Sequence, residues 1–138
     1  MTLGFTGTQR GMAQRQRATV RYLFKELQLT ELHHGDCVGA DEEANDDAHG
    51  MGATVCVHPP IDPKKRAYCR GKVHQAKPYL ERNKDIVAAG VDGLIAAPKD
   101  FVRPASLRGQ GTWTTIGYAL KAGRRVWIVA PDGTFKEE

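Results

Sequence analysis

Three glycine-rich turns and one helical dipeptide hold the side chains of this chain that are best suited to chemistry. The first turn, Thr6-Gly7-Thr8-Gln9-Arg10-Gly11, follows a short apolar run. Glycine lets a backbone approach a ligand closely. The Thr8 hydroxyl suits a phosphate oxygen, and Arg10 can pair with the same group. The second turn sets Gly35 and Gly39 four residues apart ahead of Asp41. Asp41 fits two compatible roles: it can cap a helix, and it can accept hydrogen bonds from ribose hydroxyls. In the third turn Gly109 and Gly111 precede Thr112 at a helix start. Free backbone N–H groups, the positive end of the helix dipole and the Thr112 hydroxyl would act together there on a phosphate. Finally, Arg82 and Asn83 stand side by side. A guanidinium and an amide suit phosphate or base recognition, although their spacing alone reads as a helix surface pair. None of the turns is the dinucleotide GxGxxG fingerprint or a Walker loop. The first two turns also read as plain strand-to-helix connections, and the third as a glycine-rich flexible loop.

The elements that must position these turns follow from hydrophobic periodicity. Strands are expected over 2–6, 32–34, 53–57, 93–97 and 125–130, each short and rich in apolar or β-branched residues. A helix over 12–29 carries Met12, Gln16, Val20, Leu23 and Leu27 on one stripe. A second starts at an Asp41 cap and buries Ala44, Ala48 and Met51. A third, over 79–89, places Leu80, Asn83, Ile86 and Val87 on one side, and a fourth runs over 112–122 to Gly123, a good C-cap. Residues 58–78, rich in Pro and Lys, read as a long loop with one helical turn. Alternating strands and helices imply right-handed crossovers and a parallel sheet. The expected fold class is α/β: one Rossmann-like, three-layer domain over residues 1–138, with a mainly parallel sheet of about five strands. In such sheets ligands sit outside the carboxyl ends of the strands, and all three glycine turns fall there.

Composition narrows the function classes. A chain of 138 residues, 41% hydrophobic, suits one domain with a real core. No apolar run approaches the roughly 20 residues of a membrane span, and the N-terminus lacks a signal-peptide pattern. The expectation is a soluble cytoplasmic protein with no membrane partner. Cys37, Cys56 and Cys69 form no CxxC pair, so neither a disulfide frame nor a structural zinc site is expected. No HExxH or regular carboxylate spacing joins His33, His34, His49, His58 and His74, so the linear sequence offers no metal site. No cofactor is named by the residues, and no nucleophile elbow is present. Net charge is +4, unevenly spread. Residues 36–50 hold six acids and no Lys or Arg, whereas 60–84 hold eight bases against Asp62 and Glu81. That basic stretch can attract a phosphate ligand or a nucleic acid, or serve as solvated surface.

Taken together, the pieces resemble the SLOG superfamily. This group includes the DNA-processing protein A family, the cytokinin-activating phosphoribohydrolases and small YspA-like proteins. HHGDCVGADEEANDDAHGMGATVCV (33–57) is similar to its glycine turn, helix entry and next strand. YLERNKDIV (79–87) resembles its Arg-Asn segment, GQGTWTTIGYALKAGRRVWIVAPDG (109–133) its Gly-Thr turn and final strand, and TLGFTGTQR (2–10) its opening strand. The resemblance implies a nucleotide or nucleotide-derived ligand, such as a nucleoside phosphate or an ADP-ribose-like molecule. Gly7, Thr8, Arg10, Gly35, Gly39, Asp41, Arg82, Asn83, Gly109, Gly111 and Thr112 would bind it, in a sensing or sequestering role. Two alternatives stay open. One is a phosphoribohydrolase-type N-glycosidase acting on nucleoside monophosphates. There the family places a glutamate where this chain has Thr115, which cannot stabilise an oxocarbenium-like sugar; Asp41 or Asp85 would have to substitute. The other is a single-stranded-DNA binder of the DNA-processing type. Relatives associate through helices beside the site, so the resemblance extends to a homo-oligomer such as a homodimer; the residues themselves do not carry that point.

Overall fold

The structure, a computed structural model, describes residues 1–107 and 110–138. Its sheet contains β1 (Thr2–Gly7), β2 (Glu31–His34), β3 (Thr54–Val57), β4 (Lys72–Val73), β5 (Gly93–Ala97), β6 (Val126–Val129) and β7 (Phe135–Glu137). The spatial order is β4-β3-β2-β1-β5-β6-β7. Every neighbouring pair is parallel except β6–β7. The helices are α1 (Gln14–Glu26), α2 (Ala40–Gly50), α3 (Tyr79–Ala89) and α4 (Gly111–Lys121).

Strand alternation sorts the core into two layers. Leu3 and Phe5 of β1 pack with Val20, Leu23 and Phe24 of α1 and with Ala40, Ala44 and Ala48 of α2. On the opposite face, Ile86 and Val87 of α3 pack with Trp113, Ile116 and Ala119 of α4 over Leu94 and Ile128. The three small alanines of α2 let that helix lie close to the sheet. Gln16, buried on the α1 stripe, donates from Nε2 to the carbonyls of Pro98 at 2.8 Å and Val129 at 2.9 Å. It ties α1 to the carboxyl ends of β5 and β6.

The sheet has seven strands where the sequence pattern shows about five. β4 is two residues long, too short for any periodicity, and adds to the edge through Cys56↔Lys72 and Val57↔Val73. β7 lies in the charged tail. A turn at Pro131–Gly133 folds the tail back onto β6, and Arg125 pairs with Glu137, Nε to Oε2 at 2.9 Å. Edge strands bury only one side of their backbone, so their sequences stay polar.

Residues 58–78 are likewise more ordered than a long loop. A 3-10 turn (Pro63–Lys65) is followed by β4, and the segment is tied back to the turn after β2. The anchor is Asp36, fully buried with φ 58°. Its Oδ2 accepts from Arg66 Nε at 2.8 Å, and its Oδ1 from the Cys69 N–H at 2.7 Å. Removing a buried, charge-assisted acceptor strands both donors, at a cost of about 2–4 kcal/mol. Asp36→Ala is therefore expected to lower stability by that amount and to speed tryptic cleavage after Lys64, Lys65 and Arg66. Unchanged cleavage kinetics under native conditions would refute the anchoring role.

Candidate functional site

The strand order reverses between β1 and β5, because the chain builds outward from β1 toward β4 and then crosses to the other side. At such a switch point the loops leaving adjacent strands diverge and open a crevice. A cleft of about 700 Å³ lies there. Its walls are the turn after β1 (Thr6 to Arg10), the turn after β2 (Gly35, Cys37, Asp41), the start of α3, Pro98 and Lys99 after β5, and the start of α4. Arg10, Lys65 and Lys99 are exposed at its edges.

The glycines of the first two turns are required by packing between the turns themselves. A Cβ on Gly7 would lie 2.5 Å from the Ala40 Cβ. Gly39 has φ +90°, and a Cβ there would meet the Gln9 carbonyl at 2.5 Å. Gly39 does not line the cleft, whereas Gly7 and Gly35 do. Thr8 is buried, its Oγ1 accepting from the Arg10 N–H at 3.2 Å, while Arg10 itself is exposed.

On α3 the expected inward face holds at Asn83, Ile86 and Val87 and fails at Leu80. Leu80 is 60% exposed at the cleft, whereas Arg82 is 5% exposed and Asn83 is buried with it. A surface pair is thereby ruled out. The Arg82 guanidinium donates from Nε to Asn83 Oδ1 at 2.8 Å, and from one terminal nitrogen to the carbonyls of Gly35 and, at 3.3 Å, His58. It also faces Cys37 Sγ at 3.9 Å. Arg82 thus clamps α3 to the ends of β2 and β3 while lining the cleft. Asn83 serves it as an acceptor.

Asp41 is not the helix N-cap. α2 begins at Ala40 with Gly39 in the cap position, and no side chain caps it. Asp41 Oδ2 accepts instead from the Cys37 N–H at 3.2 Å. Its Oδ1 is buried and has no hydrogen-bond partner among the described residues. Burial raises its pKa, against the pull of His34 and Arg82. Beside it, burial pushes the Cys37 thiol up to about 11, with the Asp41 charge adding to the effect. Cys37 is therefore a neutral thiol at physiological pH, not an activated nucleophile.

Several solved structures share this architecture. The chain aligns with the molybdenum cofactor binding protein from the phototrophic bacterium Rippkaea orientalis at a TM-score of 0.70 and 18% identity, covering 93% of this chain and 75% of that one. It aligns with DNA processing protein A from Streptococcus pneumoniae at 0.66 and 18% identity, covering 93% and 50%. The structural-genomics protein TM1055 gives 0.64 and 16%, covering 90% and 71%. The fold is of the SLOG type. No protein-family model matches the sequence, and no curated protein matches it. The chain spans half the length of the DNA processing protein.

Within this SLOG-type fold the third turn opens α4. Gly111 is its first residue and is exposed, Thr112 is half-buried, and both line the cleft; no side chain caps the helix among the described residues. Gly109 lies outside the described residues. Thr115 is fully buried, and its Oγ1 donates to the Gly111 carbonyl at 2.8 Å, so its hydroxyl is spent inside the helix. Asp85 pairs with Lys77 at 2.7 Å and does not line the cleft, which leaves Asp41 and Asp62 as its carboxylates.

A second constellation escapes linear spacing altogether. His33, His58 and His74 converge, with one ring nitrogen of each within 4.8 Å of the others. His33 lies within β2 and His58 and His74 just beyond β3 and β4, so no motif in the chain could announce them. Burial, with His74 and His33 adjoining, lowers the His58 pKa to about 3.

Proposed function

We propose that the cleft binds a nucleotide or nucleotide-derived ligand, and that the protein senses, carries or sequesters it. The observation that carries this reading is the Asp41 carboxyl, buried on the cleft wall with one oxygen that no described protein group satisfies. An orphan buried acceptor costs free energy unless a ligand donates to it. A sugar hydroxyl is a donor of the right kind. Across the cleft the uncapped start of α4 presents backbone N–H groups and the positive end of its dipole, which suits a phosphate. Arg10, Lys65 and Lys99 add positive charge at the edges. Leu80, Ile86 and Trp113 supply apolar wall for a planar base.

The neighbouring molybdenum cofactor binding protein supports a small-ligand role for this fold, and DNA processing protein A supports a nucleic acid. The cleft favours the small ligand, because its distinctive acceptor is buried rather than set along an open surface track. N-glycosidic cleavage is the less favoured reading, since Thr115 offers no carboxylate. Cytoplasmic location, a homodimer and the single-domain boundaries remain parts of the same proposal; no helix among the described residues is long and apolar enough to cross a membrane.

The test is thermal unfolding with nucleoside mono-, di- and triphosphates, NAD and ADP-ribose. A ligand at a thousand times its dissociation constant adds about 4 kcal/mol of stability. The variant that discriminates is Gly111→Asp. A Cβ there meets nothing within 4 Å, and an acid in the first turn of α4 suits the dipole. The variant is expected to fold at least as stably as the parent and to bind phosphate-bearing ligands about tenfold or more weakly. Equal binding by the two would remove α4 from the site. Protection that appears only with single-stranded DNA and collapses steeply with salt would move the assignment to a nucleic acid.

A further inference from the structure

Glu31 and His33 on β2, Cys56 on β3, His58 just beyond it and His74 just beyond β4 lie on the sheet face that carries α3. Period-two alternation puts Glu31 with His33 and Cys56 with His58 on that face. Parallel register then aligns them: His33 pairs with Cys56, and Cys56 with Lys72. His33 Nδ1 lies 2.8 Å from His58 Nε2. The His58 and His74 rings stack with centroids 4.3 Å apart. His33 Nε2 lies 2.9 Å from Glu31 Oε2. His33 and His58 are buried, and His74 is exposed, so the cluster opens to solvent on one side.

From this arrangement we infer a binding site for a first-row divalent metal ion, with Zn²⁺ as the reference case, built by His33, His58 and His74 and buttressed by Glu31. Three imidazoles are the donor set that zinc and its neighbours favour. The Glu31 carboxylate can only accept, so it fixes the proton of His33 on Nε2 and turns the Nδ1 lone pair toward His58. A metal-ligating histidine usually has its far N–H held by a carboxylate in this way. In the empty site, the His58 Nε2 proton fills the space between the two rings. On binding, His58 takes its other tautomer and the ion occupies that space, so no net proton leaves the pair. Zn–N bonds of about 2.0–2.1 Å in tetrahedral geometry set ligand nitrogens about 3.3 Å apart. The two buried rings therefore open by about half an ångström, and the exposed His74 ring swings in. The fourth position faces solvent and takes a water. Cys56 forms a second, separate group of donors with Glu31 and His33, within 4.8 Å of one another.

The site is separate from the cleft but shares a wall with it, because the His58 carbonyl accepts from Arg82. The experiment uses the full chain stripped with a chelator and titrated with Zn²⁺ alone by calorimetry, and with Co²⁺ for its visible ligand-field bands. One saturable equivalent of Zn²⁺, with the intense Co²⁺ absorption of a tetrahedral site, is expected. His74→Ala removes an exposed ligand without disturbing the core, and should weaken Zn²⁺ binding about tenfold or more. His58→Gln should do the same where it folds, and His49→Ala, a surface histidine of α2, should change nothing. Zn²⁺ should raise the unfolding temperature of the parent and not of His74→Ala. Absence of saturable binding, or binding that survives His74→Ala unchanged, overturns the proposal, as does loss of binding on His49→Ala alone.

Discussion

Arg82→Ala is expected to cost about 3–5 kcal/mol of folding stability, enough to lower the unfolding temperature by about 10 °C or more. The guanidinium is buried, and three groups depend on it: the carbonyls of Gly35 and His58 and the side chain of Asn83. Truncation leaves all three without their charged donor. The close fit is visible from the other side as well. A Cβ on Gly35 would stand 2.6 Å from one guanidinium nitrogen, so the turn after β2 is shaped around the arginine. Arg82→Lys keeps the charge but lacks the planar fork that reaches both carbonyls and Asn83, and should recover less than half of the loss. Chemical denaturation of the three proteins measures this. An Arg82→Ala variant within about 1 kcal/mol of the parent would show the clamp to be ornamental. Because the parent fold is weakened, loss of ligand binding in this variant is no clean reading of contact. Gly111→Asp and the next substitution serve that purpose.

Asp41→Asn is expected to weaken a nucleotide-type ligand about 10- to 100-fold, the worth of a hydrogen bond to a charged acceptor. The same change alters how stability depends on pH. Burial raises the Asp41 pKa above the ordinary 3.8. A group whose folded pKa lies above its unfolded value contributes stability that is fully present below the unfolded pKa and lost as pH rises through the folded one. The parent should therefore lose ground against Asp41→Asn between pH 4 and pH 7, because only the parent must ionise a buried carboxyl. Ligand that donates to the carboxylate stabilises the charged form, so its affinity for the parent should rise across the same window and stay flat in the variant. Equilibrium unfolding at the two pH values, with and without ligand, checks both statements. A parent–variant difference that does not change with pH would mean that Asp41 is already satisfied. Unaltered ligand affinity would place the sugar elsewhere in the cleft.

Much of the architecture is readable in the chain. The stripes of α1 and the alanines of α2 follow helical spacing, and the continuous apolar strands announce a sheet covered on both faces. The turns after β1 and β2 and the start of α4 do meet at one sheet edge, as the topology rules require. What their glycines do there is a different matter. Gly39 looks like a ligand-facing residue in the sequence and becomes a packing residue once the turns press against each other, while Gly7 packs on Ala40 and still lines the cleft. Arg82 takes the buried place expected of Leu80, because a buried guanidinium anchors the start of α3 alongside the apolar contacts of Ile86 and Val87. Periodicity has no term for that. The edge strands β4 and β7 are invisible because a two- or three-residue strand that buries one side of its backbone needs no apolar pattern.

By itself, then, the sequence determines the local choices: which segments are helix or strand, which turns can pass close to one another, and where charge accumulates. These follow from interactions among residues a few positions apart. Only the tertiary structure decides which distant residues share a site. Asp41 acquires its unsatisfied oxygen, Asp36 its grip on residues 66–69, and His33, His58 and His74 their common centre, from the register of parallel strands. The crossovers that set this register place residues 25 or more positions apart within bonding distance. No linear spacing encodes such a distance, because the length of each crossover is free to vary while the strand separation is not.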